Sequence, residues 1–370
     1  MTSRKMFFAT IVLLAATLVF LSRVPPAAAE ETSGSVYVMT NQPTGNAVIG
    51  YHRASNGLLK KRDMVPTGGL GGTGNGVGAL DPLGSQDSLV LSGDGTRLLA
   101  VNAGSNDVSV LGAGGDGLKL LSKISSGGEF PNSVAVRGNL VYVLNAHGTP
   151  NVTGFRLGVN GVLHRLPGST RALPGGISAA PHDVVFSPDG GRLLVSEGGT
   201  NQIDVFAIGD DGRINGVVTQ TSLGGPFGLR FGRHEILVVT EATTAALSTY
   251  HLTSNDTLNV ISESVADGQM ATCWLSITLN GRTFVSNTGS GDLSSYQVGP
   301  DGNAALVKPV AASIVPGAPI DSALDSEDNF LYVEDSARGI VFIFRVEHHE
   351  LGIIGAVPGL PTTLQGIAAN

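Results

Sequence analysis

The sequence predicts an all-β protein, a seven-bladed β-propeller with four antiparallel strands per blade. One pattern, two apolar strands around a small turn, recurs seven times, from Val36, Leu98, Val141, Leu193, Ile236, Thr283 and Leu331. LLAVNAGSNDVSVL, LLVSEGGTNQIDVFAI and LYVEDSARGIVFIFRV are three of the copies. The full unit, roughly 45–50 residues, has the length of a propeller blade. The 52 glycines and the 14% of charged residues suit short strands joined by tight turns. No stretch beyond the N-terminal segment repeats its apolar residues at a helical period.

The chain begins with a different kind of segment. Arg4 and Lys5 precede an uncharged apolar run from Phe7 to Leu21, and Ala27-Ala28-Ala29 follows. This is the layout of a secretory signal peptide over residues 1–29, cleaved near Ala29. The run is short for a spanning helix, which needs about 20 residues. An uncleaved anchor is the alternative, and Arg23 behind the run favours it. Export to the periplasm or beyond is therefore expected, with no stable membrane insertion after cleavage. Loss of Arg4, Lys5 and Arg23 would take the formal charge from −8 to −11. Such a surface disfavours nucleic acid, whose binding rests on neutralised phosphates. Cys273 is the one cysteine, so no intrachain disulfide is possible and the core must carry stability. A monomer is expected.

The propeller is expected over residues 34–370. Six of the seven copies are preceded by another strand, DSLVLS, SVAV, DVVFS, FGLRF, LSITL and SALD. Gly93-Asp94-Gly95, Gly138-Asn139, Pro188-Asp189-Gly190 and Asn280-Gly281 supply the hairpin turns, because these residues tolerate positive φ. The copy at Val36 has no preceding strand, and LQGIAA from Leu364 has no following one. Joining the two closes a blade from both termini and removes two exposed sheet edges. Two insertions stand out. Residues 66–78 (PTGGLGGTGNGVG) form either a long interblade loop or a flap over the channel mouth. Leu173–Ala180 reaches for the same mouth. Gly69, Gly71 and Gly74 fit G-x-G-x-x-G, but a dinucleotide site needs that motif within a βαβ unit.

Antiparallel pairing puts the start of each inner strand beside the end of the next. Counting outward from the turns pairs Asp87 with Asn102, Asn132 with Asn145 and His182 with Glu197. It also pairs Phe227 with Glu241, Trp274 with Asn287, Asp321 with Glu334 and Gln365 with Asn41. A slip of one residue would turn a side chain to the other face. The expected ring around one channel mouth is polar and acidic, with one imidazole, and is a candidate ligand site. Its carboxylates act as general bases if crowding raises their pKa values. A strand-ending Asn or Glu equally serves to satisfy loop backbone groups. No metal or cofactor is expected. One His without a second His or Cys is a weak transition-metal set, and the acidic residues lack a calcium-loop pattern. There is no G-x-S-x-G elbow.

The run Pro181-His182-Asp183-Val184-Val185-Phe186-Ser187-Pro188-Asp189-Gly190, with VSEGGTNQIDVF, VTEATTAALSTY and VSNTGSGDLSSY, resembles the lactonase family of seven-bladed propellers. That family groups propeller-type 6-phosphogluconolactonases with carboxymuconate-lactonizing enzymes. GSQDSLVLSGDGTRLLAVNAGSN with Ala271-Thr272-Cys273-Trp274 resembles a subgroup of it. The family's site combines a His after Pro, a strand-ending Glu one blade on, and arginines beside them. His182 and Glu241 match the first two. Pro226-Phe227-Gly228 and Ser286-Asn287-Thr288-Gly289 stand where the arginines belong. Without a bidentate cation, an anionic lactone fits poorly. The resemblance implies a lactonase-type hydrolase for a neutral lactone such as an aldonolactone. Glu241 or Glu197 would activate water, and His182 would protonate the leaving oxygen or steady the oxyanion. Asn102, Asn145 and Asn287 would orient hydroxyls, with Asp87, Asp321 and Glu334 completing the binding ring. The alternative is a non-catalytic exported propeller that binds a small ligand, a glycan or a protein partner.

Overall fold

The computed structural model describes residues 32–74, 80–115 and 117–370. The signal-peptide reading of residues 1–29 lies outside them, as does the end of the first insertion. Among the described residues seven sheets are present. The closing blade pairs β1 (Thr32–Met39), β2 (Ala47–Ala54) and β3 (Leu59–Pro66) with the C-terminal β29 (Ile367–Ala369). Blade two is β4 (Leu89–Leu91), β5 (Arg97–Asn102), β6 (Asp107–Gly112) and β7 (Lys119–Ser125). Blade three is β8 (Glu129–Arg137), β9 (Leu140–His147), β10 (Asn151–Leu157) and β11 (Leu163–Arg165), with a short extra strand, β12 (Arg171–Ala172), beside β10. Blade four is β13 (Pro181–Phe186), β14 (Arg192–Glu197), β15 (Gln202–Ile208) and β16 (Ile214–Thr221). Blade five is β17 (Pro226–Phe231), β18 (Ile236–Glu241), β19 (Ala246–Leu252) and β20 (Leu258–Ala266). Blade six is β21 (Thr272–Ile277), β22 (Arg282–Asn287), β23 (Asp292–Val298) and β24 (Ala304–Ser313). Blade seven is β25 (Pro319–Leu324), β26 (Phe330–Asp335), β27 (Ile340–Glu347) and β28 (Glu350–Val357). The seven-bladed reading holds, including closure by both termini.

The second strand of each blade reads as an unbroken apolar run because both its faces are buried. In β14, Leu193 and Val195 pack with Tyr142 and Leu144 of the preceding blade. Leu194, between them, packs with Leu237 and Val239 of the next. The period of two sends alternate residues to opposite neighbours, so neither face needs a polar residue. Outer strands keep one wet face. β16 and β24 alternate exposed and half-buried residues.

Closure is tied by polar bonds as well as by strand pairing. β29 pairs with β1 at Val36–Ala369, Tyr37–Ala368 and Val38–Ile367. The buried guanidinium of Arg53 donates to the Asn370 carbonyl at 3.1 Å. The Ser35 amide donates to Asn370 Oδ1 at 2.7 Å.

The segment that follows the first insertion, Leu80–Ser88, crosses the channel mouth and fills it. Leu83, Ser85 and Gln86 are buried there. Ser85 Oγ donates to the Asn132 carbonyl, and the Ser85 carbonyl accepts from Trp274 Nε1 and Gln365 Nε2. The Gln86 amide donates to the His182 carbonyl, while its side-chain oxygen accepts from the Leu275 amide. This segment therefore bonds inner strands or their lead-in residues from blades three, four, six and one. It is a plug, and the expected flap is only partly described.

Candidate functional site

The expected strand pairings need correction at the mouth. Glu197 lies opposite Pro181, Asn145 opposite Pro131, Glu241 opposite Pro226 and Asn287 opposite Thr272. In blade seven Asp335, not Glu334, holds the slot, opposite Pro319. The inner strands of these five blades each carry a bulge just inside this pair. The extra residue shifts the register and re-aims a side chain. His182, Asn132 and Cys273 occupy the single-residue bulges; Phe227-Gly228 and Ile320-Asp321 fill two-residue ones. Asp87 is outside the ladder, with φ +62, and Asn102 has no opposite residue on β4. Proline at 131, 181, 226 and 319 was the available signal, since strand prolines mark first residues and bulges.

The strand-ending residues are sealed. Asn41, Asn102, Asn145, Glu197, Glu241 and Asn287 are all buried to 0% exposure. Asn102 Nδ2 donates to Asp107 and Ser109, and Asn287 Nδ2 repeats this with Asp292 and Ser294. Asn145 bonds Asn151. Glu241 accepts hydroxyls from Ser248 at 2.5 Å, Ser264 at 2.6 Å and Thr244 at 2.7 Å. Glu197 accepts from Thr200 Oγ1 at 2.5 Å and from the Gly175 amide at 3.1 Å. These groups tie the second strand to the third and to insertion loops.

His182 keeps an open ring nitrogen beside a cavity. Its ring is stacked on Phe227, centroids 4.3 Å apart, and Phe227 meets Trp274 edge-on at 4.8 Å. Nδ1 lies 2.6 Å from the Gly84 carbonyl of the plug. A carbonyl can only accept, so Nδ1 carries the proton and Nε2 presents a lone pair. Nε2 has no hydrogen-bond partner among the described residues and lies against Gly198, where a Cβ would fall 2.3 Å away. Burial holds the imidazole pKa below its ordinary value of 6.5, against the opposing pull of the Gly84 carbonyl.

His182 lines a cavity of about 170 Å3 with Asn132, His147, Phe130, Leu83 and Ile177 among its walls. His147 stacks on Phe130 at 4.1 Å, and burial lowers its pKa too. Among the described residues, no Lys, Arg, Asp or Glu lines this cavity.

The remaining predicted residues face the central channel or its wall. Arg230, which the sequence reading passed over, lies in a two-pronged ion pair with Asp87, at 2.6 and 2.7 Å. Asp183 Oδ2 is 3.6 Å from the same guanidinium and accepts the Leu229 amide at 2.8 Å. Asp321 Oδ1 accepts the Ser322 amide, and Glu334 Oε2 accepts the Gly366 amide at 2.9 Å. Burial, then neighbouring carboxylates, pushes Asp183, Asp321 and Glu334 above the usual carboxylate range. Burial opposes the Arg230 charge, but Asp87 and Asp183 outweigh it and hold the group charged. Arg230 in FGLRF had a signal: a lone cation in an inner strand has only the channel or a bulge to face. Among the described residues no group of three or more His, Cys, Asp or Glu is arranged to hold a metal. No helix among them is long and apolar enough to cross a membrane.

Fold and site together define a seven-bladed propeller with a plugged mouth and a small polar pocket beside the plug. The chain matches the family model for lactonase, 7-bladed beta-propeller, over residues 89–354, and belongs to that family. Similar solved structures include a protein from Lactobacillus plantarum (TM-score 0.73, 17% identity, 91% of this chain and 99% of that one). A putative 6-phosphogluconolactonase from Bacteroides fragilis gives 0.68 at 18% identity, covering 91% and 99%. The periplasmic gluconolactonase of Pseudomonas aeruginosa gives 0.68 at 17% identity, covering 90% and 98%. At these identities the likeness is one of fold. No curated protein sequence matches the chain.

Proposed function

We propose that the protein is an exported lactonase that hydrolyses a neutral, sugar-type lactone in the pocket beside His182. The observation that carries this reading is the free Nε2 of a neutral imidazole fixed by the Gly84 carbonyl at a cavity without charged side chains. In this reading Nε2 takes a proton from water as the water oxygen attacks the lactone carbonyl carbon. The tetrahedral intermediate then collapses, the ring C–O bond breaks, and the imidazolium returns the proton to the leaving oxygen. His147 is the group across the cavity with an N–H to offer the developing oxyanion.

Glu197 and Glu241 become positioning residues here, in place of the general-base role expected from sequence. Glu197 holds the Gly175 amide and so anchors the insertion that carries Ile177 and Ala180 to the pocket wall. Asn102, Asn145 and Asn287 fix the hairpins below it. The absence of a cation among the lining residues supports a neutral substrate over a phosphorylated one. Export rests on the sequence of residues 1–29. Family membership and the periplasmic gluconolactonase among the fold neighbours are compatible with it.

The plug that seals the channel mouth favours a second reading, a propeller that binds ligand without turnover. Ring opening of glucono-1,5-lactone and its 6-phosphate by purified protein, against spontaneous hydrolysis, separates the two. Turnover of the neutral lactone in preference to the phosphate supports the lactonase reading. Rates at the blank for a panel of neutral lactones would remove it.

A further inference from the structure

The proton on His182 Nδ1 is held there by one backbone carbonyl, that of Gly84. Whatever fixes Gly84 therefore decides what Nε2 can do. Gly84 takes φ +61, a conformation that glycine enters without strain and leaves as readily. The turn around it is held from the far end of the chain, by the side chain of Gln365. Gln365 Oε1 accepts the Leu83 amide at 2.7 Å. Its Nε2 donates to Asp81 Oδ1 at 2.9 Å and to the Ser85 carbonyl at 2.8 Å. The same Asp81 oxygen accepts the Gly84 amide at 2.8 Å. Both Nε2 hydrogens are thus used, and the bonds fall on either side of Gly84. Gln365 is fully buried, and its own amide donates to the Met39 carbonyl just ahead of β29. Ring closure has other supports, since β29 pairs with β1 and Asn370 bonds Ser35 and Arg53. The Gln365 side chain is spent on the plug. Leu83 and Gly84, which it steadies, also line the His182 cavity.

We propose that Gln365 is a positioning residue for His182: it clamps the Asp81–Ser85 turn so that the Gly84 carbonyl stays on Nδ1 and Nε2 stays unprotonated toward the cavity. The catalytic consequence rests on the lactonase reading; the choice of ring nitrogen does not. An imidazole released from this carbonyl can carry its proton on Nε2, and a protonated Nε2 cannot take a proton from water. A network in which each member is satisfied also fixes the ring more firmly than one bond alone.

Nitrogen NMR on protein labelled at histidine reads the protonated ring nitrogen without substrate, with the His182 signals assigned by their loss in His182→Asn. Wild type should hold the proton on Nδ1. Gln365→Met is close in volume and makes none of the three bonds. It should move the proton wholly or partly to Nε2 and lower kcat/KM for a neutral lactone about tenfold or more, since a catalytic group misplaced by about 1 Å can cost about a hundredfold. Gln365→Glu keeps the acceptor for Leu83 and loses the donors; it should give the same shift and decides if the methionine variant does not fold. A proton on Nε2 in wild type, or one that stays on Nδ1 in the folded variants, would overturn the proposal, even with a fall in kcat/KM. The expected shift in a protein that opens no lactone above the blank would remove the lactonase reading and uphold the clamp.

Discussion

Nδ1 of His182 lies 2.6 Å from the carbonyl oxygen of Gly84, a residue 98 positions earlier in the chain. This contact joins the plug to blade four and fixes which ring nitrogen carries the proton. It also ties the basicity of His182 to a segment outside the blades.

The pH dependence follows from burial. Burial holds the His182 pKa below 6.5, so the imidazole stays neutral on descending past the ordinary histidine range. The acid limb of a kcat/KM profile for a neutral lactone should therefore have its midpoint below pH 6.5. A midpoint above that value would mean that another group titrates.

Gly198 is in contact with the free nitrogen. A Cβ there would sit 2.3 Å from Nε2, inside any allowed approach. Gly198→Ala should displace the ring and lower kcat/KM at least tenfold, since misplacing a catalytic group by about 1 Å can cost about a hundredfold. Circular dichroism should show an unchanged β fold. Full activity would separate Nε2 from the reaction.

Glu241 is expected to act on stability. Glu241→Ala leaves the buried Ser248 hydroxyl and the half-buried Ser264 hydroxyl without their acceptor, while the exposed Thr244 hydroxyl turns to water. A loss of about 2 kcal/mol in urea denaturation is expected from these hydroxyls left unpaired. The folded fraction should keep kcat within about threefold, against the 10²–10⁴-fold that removal of a general base costs. A larger kcat loss at unchanged stability would return Glu241 to the chemistry.

These outcomes separate what the sequence carried from what it did not. Seven apolar strand pairs with Gly, Asn and Asp turns dictated the blades, because each second strand is buried on both faces and is mostly apolar until its polar end. The closure by Leu364–Asn370 was legible for the same reason, as an apolar strand without a neighbour. The register at the mouth was not. A bulge adds a residue without changing composition, so counting from the turns misplaced His182 and Asp321 and exchanged Glu334 for Asp335. The plug was hidden for a different reason. Leu80–Ser88 has no periodicity, and its burial comes from six or more contacts far apart in the chain. Arg230 was overlooked because its meaning depends on Asp87, 143 positions away.

The channel carboxyl groups predict a stability profile. Burial and Asp87 raise the Asp321 pKa in the folded state. Above the unfolded value, about 3.9, the folded chain holds a proton that the unfolded chain has released. Stability therefore falls as pH rises from about 4 toward the folded pKa. Asp321→Asn keeps an oxygen for the Ser322 amide and removes this titration. The variant's Tm should exceed the wild-type value by about 2–4 °C at pH 8 and match it near pH 4. An equal offset at both values would show that the carboxyl proton does not contribute.

The most direct test of the account is the rate of glucono-1,5-lactone opening by wild type and His182→Asn, each corrected for spontaneous hydrolysis. Wild type should exceed the blank, and the variant should lose about 10²–10⁴-fold in kcat/KM with its Tm nearly unchanged. A variant as active as wild type, or a wild type no faster than the blank across neutral lactones, would contradict it.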